Sequence, residues 1–259
     1  LIQYPQKVIC LTEEFTEIIS LLGREDVIAG ISGFTVRPEG IRKRKPKVCT
    51  FLDANYDLID EIKPDLVFAF SDLQADICRE LIKKGYNVAC FNQRSVSDIL
   101  GVIFAVGNLI GETEKAKQLV TDLTMKIELL KRSPLRKRPR VFFEEWDEPL
   151  ISGIRWVEEI IEICGGENIF PDLKDKKLAK DRIVDPATVI PKNPDIIIGS
   201  WCGKGVKKEK MVAREGWEAI NAVKNDRIYE IKSSVILQPG PAALTEGIDT
   251  IRSIFESFQ

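Results

Sequence analysis

The sequence predicts an α/β fold: two Rossmann-like lobes of mostly parallel sheet, joined by a single long α-helix, with a ligand cleft between the lobes. Three observations predict it. Near both ends of the 259-residue chain, short apolar strands alternate with helical patterns at lengths typical of βα units. Between these regions, from Ser97 to Leu130, the pattern is helical only. Finally, "IDEIKPDLVFAF" (59–70) and "VIPKNPDIIIGS" (189–200) share a short helix, a turn, Pro-Asp and an apolar strand, so the two ends echo each other. The domain reading is an N-terminal lobe over 1–110, a linking helix over 111–134 and a C-terminal lobe over 135–259. Open α/β sheets bind ligands outside the carboxyl ends of their strands, which places the cleft.

The elements follow in order. Lys7 to Leu11 is a short apolar strand, and Glu13 to Leu22 a helix stopped by Gly23. Val27 to Ile31 and Lys47 to Thr50 read as strands, Tyr56 to Ile62 as a helix, and Leu66 to Phe70 as the most apolar strand of this half. A helix from Asp76 to Lys84 ends at Gly85, and Val88 to Phe91 is another strand. The long helical region breaks at Gly111. Its second part, Thr113 to Arg132, carries Ala116, Leu119, Val120, Leu123, Ile127 and Leu130 along one stripe. Twenty residues at ~1.5 Å rise reach about 30 Å, and such a helix resists bending, so only small closure is expected. After Pro134 the alternation resumes: strand Val141 to Phe143, helices Val157 to Cys164 and Pro186 to Ile190, strand Asp195 to Gly199, helix Glu215 to Ala219, strand Arg227 to Glu230, and a last helix from Ala242 to Phe258.

Composition narrows the function. Hydrophobic residues make up 44% and charged residues 30%, ordinary for a chain that buries a real core. There is no histidine, which removes His-centred zinc sites, Ser-His-Asp and Cys-His catalysis, and imidazole ligation of haem or cobalt. The six cysteines contain no C-x-x-C pair and several lie in apolar runs, which favours buried free thiols over a disulfide framework. The basic run Arg136-Lys137-Arg138-Pro139-Arg140 lacks interleaved aromatics and reads as exposed loop, not a nucleic-acid groove. No apolar stretch approaches the ~20 residues that cross a bilayer, and no signal peptide is visible. The first residue is Leu, so that absence does not decide between an extracytoplasmic and a cytoplasmic protein; the thiols lean towards a reducing compartment.

The loops at the expected cleft are aromatic. Phe51 and Tyr56 follow the third strand, Phe70 ends the fourth, Trp146 follows Val141–Phe143, and Trp201 follows the Asp195–Gly199 strand. Each could plug a domain end; jointly they suit a large, flat, partly apolar ligand. The acidic stretch Glu144-Glu145-Trp146-Asp147-Glu148 lacks the spacing of a calcium loop, and Pro149 breaks it. It is expected to be a solvated, ligand-facing rim, not an acid/base pair. No G-x-S-x-G motif occurs, and "GGENIF" (165–170) follows a helix instead of opening one, so Gly165 reads as a left-handed cap and not as a phosphate cradle. An enzyme is disfavoured.

With these residues in place, the chain resembles the substrate-binding proteins of vitamin B12 and iron-siderophore ABC transporters, whose two lobes share a rigid helix. The likeness runs through "VICLTEEFTEIISLLG", "LIDEIKPDLVFAF", "ETEKAKQLV", "ICGGENIF", "VDPATVIPKNPDIII" and "WEAINAVKNDRIYEI"; "EEWDEPLISGIRWVEEI" and "LQPGPAALTEG" look like a subgroup labelled cobalamin-binding. The resemblance implies a corrinoid ligand, with no cofactor of the protein's own, a monomer, and delivery to an ABC permease. Residue by residue it implies ligand contacts from Phe34, Arg37, Phe51, Phe70, Ser234 and Gln238, and docking acids at Asp76 and Glu209. Phe51 stands where a Trp is common, and Ser and Gln replace charged contacts in the last loop. Cys202 is the one soft side chain expected near the mouth. A ferric siderophore or haem receptor of the same fold, and a cytoplasmic corrinoid-handling or sensing protein without a transporter, remain as alternatives.

Overall fold

The computed structural model describes residues 4–258. It divides into two compact units: the first runs to Gln93 and resumes over Ser97–Asp122, and the second takes Arg94–Val96 and the chain from Leu123 onward. Both are built on sheets of mostly parallel strands flanked by helices, as the alternation predicts.

The first unit contains β1 (Val8–Cys10), α1 (Glu13–Leu21), β2 (Ile28–Ser32), α2 (Ile41–Arg44), β3 (Lys47–Cys49), α3 (Tyr56–Ile62), β4 (Leu66–Phe70), α4 (Ala75–Lys83), β5 (Val88–Phe91) and most of α5 (Val96–Leu109). Its strands are all parallel, in the order β3-β2-β1-β4-β5. β4 is apolar throughout because helices cover both its faces. Val67 and Ala69 join Ile9, Leu11, Ile77 and Leu81 in one core cluster, while Phe68 stacks on Phe15 of α1 at 5.3 Å.

The next helix, α6 (Thr113–Lys131), gives Thr113–Asp122 to the first unit and the remainder to the second. Each part is anchored within its own unit: Lys115 Nζ donates to Leu22 O at 3.1 Å, and Lys126 Nζ to Thr245 O at 3.0 Å. Gly107 of α5 lets that helix meet α6 closely, since a Cβ there would collide with the Ala116 methyl.

The second unit continues with β6 (Arg140–Asp147), β7 (Leu150–Ser152), α7 (Arg155–Ile163), β8 (Glu167–Asn168), α8 (Pro186–Lys192), β9 (Ile196–Gly199), α9 (Lys208–Val212), α10 (Asn221–Lys224), β10 (Ile228–Glu230), α11 (Ser233–Ile236) and α12 (Ile248–Ser257). Its sheet runs β10-β9-β6-β7, with β8 beside the start of β6 and β7 antiparallel. Phe142, Ile197, Trp201, Met211, Trp217 and Ile228 form its core. Gly165 is left-handed at φ 93°, as the helix-cap reading expects. The region expected as one last helix opens with a π-turn over Ala243–Gly247, and the expected helix over 215–219 is a short 3₁₀ turn, Trp217–Ala219.

The sequence echo has a physical cause. α3 and α8 both end on a left-handed residue, Lys63 (φ 52°) and Asn193 (φ 43°), immediately before Pro-Asp. Asp65 Oδ2 then accepts from the Lys7 backbone N–H at 2.8 Å, and Asp195 Oδ2 from that of Arg140 at 3.0 Å. In each unit this aspartate fastens the start of the neighbouring strand, β1 or β6, to the strand that follows it.

Candidate functional site

In the first unit the carboxyl ends of β1 to β4 share one edge of the sheet, and the loops leaving them carry exposed apolar side chains. Phe34 after β2 is 64% exposed, Leu52 after β3 is 67% and Leu73 after β4 is 49%. Side chains of this size in solvent on consecutive loops of a small edge are what an apolar ligand face looks like before it is covered. Buried polar groups hold the loops beneath them. Gln74, fully buried, accepts from Phe70 N at 3.0 Å and donates from Nε2 to Phe51 O at 3.1 Å and Leu11 O at 3.4 Å. It thereby ties together the loops after β1, β3 and β4. Glu13, at the start of α1, accepts from the backbone N–H of Val36 and of Arg37, both at 2.8 Å, and so pins the loop after β2. Burial pushes the Glu13 carboxyl up to about 7, against these two hydrogen bonds, which favour the ionised form.

The expected contacts of this unit divide accordingly. Phe34 stands in solvent on the edge and Phe51 is half-buried beside it. Arg37 Nε donates to Glu17 at 3.1 Å. Phe70 does not present its ring: it is 5% exposed at the carboxyl end of β4, and Leu73, three residues on, is the apolar side chain that this loop exposes. Tyr56 opens α3 and packs against the core cluster, with Lys84 Nζ 6.0 Å from its ring centre, instead of standing on the loops. Gln74 and Glu13 were not legible as supports, because their partners are mainly backbone atoms of other loops.

In the second unit the acidic stretch is not a solvated rim. β6 runs on through Asp147 and turns back as β7 by way of a cis Glu148–Pro149 bond. Neighbouring residues of a strand point to opposite faces, so Glu144 and Glu145 find separate partners. Arg214 grips the fully buried Glu144 with both guanidinium branches, at 2.6 and 2.9 Å, and Trp201 Nε1 adds a third hydrogen bond at 3.1 Å. Burial raises the Glu144 carboxyl and the Arg214 guanidinium opposes the rise. Glu145 receives a second such fork from the buried Arg182, at 2.6 and 3.0 Å. Asp147 pairs with Lys204 at 2.5 Å, and only Glu148 of the four acids is exposed.

The same network corrects the tryptophans. Trp201 is core: its ring is buried in the cluster around Phe142 and its indole N–H is spent on Glu144. Trp146 is half-buried, donates to Glu148 O at 2.9 Å, and has its face covered by Lys204 Nζ, 3.8 Å from the ring centre. Ser234 on α11 and Gln238 just after it are half-buried, and Cys202 is exposed. The two acids expected to dock are both exposed; Asp76 on α4 pairs with Arg79 at 3.2 Å, and Glu209 lies in the first turn of α9. Among the described residues no group of three or more His, Cys, Asp and Glu could hold a metal ion, and no helix is long and apolar enough to cross a membrane.

The profile of the periplasmic binding protein family matches residues 8–235. An uncharacterised ABC transporter substrate-binding lipoprotein of Bacillus subtilis, YvrC, is 28% identical over 258 residues, covering 95% of this chain and 79% of its own. The vitamin B12-binding protein of Vibrio vulnificus is 27% identical over 245 residues, covering 92% and 86%. Among solved structures, a possible iron-binding (periplasmic solute-binding) protein of Staphylococcus epidermidis superposes with a TM-score of 0.82 at 25% identity, covering 98% and 99%. The periplasmic heme-binding protein HutB of Vibrio cholerae shares the fold at a TM-score of 0.82 and 17% identity, covering 96% and 98%. The chain belongs to the periplasmic binding protein family, a family of solute-binding proteins and not of enzymes.

Proposed function

We propose that this family member binds a corrinoid and delivers it to the permease of an ABC importer. The observation that carries the ligand class is the trio Phe34, Leu52 and Leu73, exposed on the loops after β2, β3 and β4 that Glu13 and Gln74 hold in place. Rigidly supported apolar side chains favour a broad, flat ligand, because little conformational freedom is lost when they are covered. The vitamin B12-binding relatives support the same choice. With no histidine in the chain, the protein has no imidazole to displace the cobalt's lower base, so the corrinoid keeps its own. Anionic ferric chelates and haem call for free cations, and the arginine of this edge, Arg37, is already engaged by Glu17. Asp76 and Glu209 are the acids we assign to docking on arginines of the permease.

Calorimetry against cyanocobalamin, cobinamide, haem and a ferric siderophore tests the reading. Cyanocobalamin and cobinamide are expected to bind and the iron compounds not to. Uncovering one large apolar side chain is worth ~1.5–3 kcal/mol, so Phe34→Ala is expected to weaken corrinoid binding roughly tenfold or more. Binding of haem or the siderophore without either corrinoid would overturn the assignment.

A further inference from the structure

A cavity of about 560 Å³ opens on the first unit between α4 and β5, lined by Ser71, Cys78, Arg79, Ile82, Lys83 and Cys90 among others. β5 is the last strand of its sheet, so its outer edge has no ladder to hold it. Two thiols share this cavity. Cys78 is buried on α4, Cys90 is exposed on β5, and both side chains line the same cavity wall. Cys90 Sγ also lies 3.7 Å from the carbonyl of Ser71, a residue held in a left-handed conformation at φ 58°.

We infer that Cys78 and Cys90 form a redox-active dithiol, which a small-molecule disulfide oxidises to an intramolecular disulfide that ties α4 to the edge strand.

The environment sets the order of events. An oxidant in solution reaches Cys90 first, because Cys78 is buried. The Cys90 thiolate displaces one thiolate from the oxidant, forming a mixed disulfide. The Cys78 thiol then loses its proton and attacks the Cys90 sulfur, expelling the second thiolate. The net change is two protein thiols converted to one disulfide and one oxidant disulfide reduced to two thiols, with two electrons and two protons passing to the oxidant. Burial pushes Cys78 up to about 12, so the second step depends on its being adjacent and not on its being a good free nucleophile. The remaining thiols lack this combination. Cys10, Cys49 and Cys164 are buried, and Cys202, though exposed, is not among the residues that line this cavity.

The test uses the reduced chain in its native state, carrying Cys202→Ser to remove the other exposed thiol. It is incubated with oxidised glutathione, quenched in acid, alkylated after denaturation and mapped by mass spectrometry. The free-thiol count is expected to fall by two, with the Cys78 and Cys90 peptides joined and no glutathione retained. Adding Cys78→Ser is expected to trap glutathione on Cys90, and adding Cys90→Ser, an exposed and structurally mild change, to leave Cys78 reduced. Retention of glutathione on Cys90 while Cys78 is intact, a disulfide between any other pair, or no loss of thiols would each overturn the inference.

Discussion

Replacing Arg214 by methionine should expose how much of the second unit rests on a charge taken out of water. Glu144 has no solvent contact, and its two oxygens receive the guanidinium fork at 2.6 and 2.9 Å, with the Trp201 indole as the one further partner among the described residues. Methionine keeps much of the arginine's apolar stem, but it removes the guanidinium that lies 4.4 Å over the Trp217 ring centre and strands the carboxylate. Removing one member of a buried ion pair costs ~3–5 kcal/mol, whereas replacing both can be nearly neutral. At pH 7, Arg214→Met is therefore expected to lose about 3 kcal/mol or more, and Glu144→Gln/Arg214→Met to recover most of it. The loss should shrink in acid, because burial already raises the Glu144 carboxyl and without Arg214 it rises further, so the folded variant takes up a proton that relieves the charge. Urea unfolding followed by tryptophan fluorescence measures this directly, since all four tryptophans lie in the second unit. A loss under ~1 kcal/mol for the single variant, or a double variant no better than the single, would refute the reasoning.

Two further substitutions probe the same physics elsewhere. Glu158 on α7 is buried with Oε2 unpartnered among the described residues, and burial pushes it from 4.5 to about 8. Between those values the unfolded chain has released the proton and the folded chain keeps it, so this residue's contribution to stability is full below pH 4.5 and lost as pH rises to about 8. Glu158→Gln is expected to flatten that decline, with a gain of a few kcal/mol at pH 8 and little at pH 4, read from urea curves at each pH. An equal effect at both would count against it. Gly107→Ala should reverse the usual helix preference: alanine ordinarily gains ~1 kcal/mol over glycine inside a helix. Here the added methyl meets Ala116, so the variant is expected to melt below the parent by circular dichroism.

The fold was legible because its signals are local. Leu66 to Phe70 and Val88 to Phe91 are strands with those bounds, and Tyr56 to Ile62 a helix with those bounds, since apolar runs and flanking turn residues suffice to place them. The Pro-Asp echo carried still more, as each aspartate's hydrogen bond marks which strand lies next door. β7, β8 and α9, of three, two and five residues, escaped, since none combines an apolar run of useful length with flanking turn signals.

The site was harder to read because a side chain's fate there depends on residues distant in sequence. Glu144 and Glu145 look like a solvated rim until Arg214 and Arg182, 70 and 37 residues away, are known to reach them. The alternation of a strand that continues past Phe143 was the one available clue, since it would have sent the two glutamates to opposite faces. Reading by residue type also misjudged which apolar groups face solvent. Trp201 and Phe70 are large enough to be worth more in the core than on a loop, and each follows or ends a central strand, where the core is deepest. Leu52 and Leu73 sit three residues beyond the ends of β3 and β4, where burial would require the loops themselves to fold inward. Gln74 prevents this by fixing the backbones of those two loops with hydrogen bonds, as Glu13 does for the loop that carries Phe34. The exposed apolar edge is thus a consequence of buried polar anchors, and loosening Gln74 should let Leu73 withdraw from solvent even with every apolar residue unchanged.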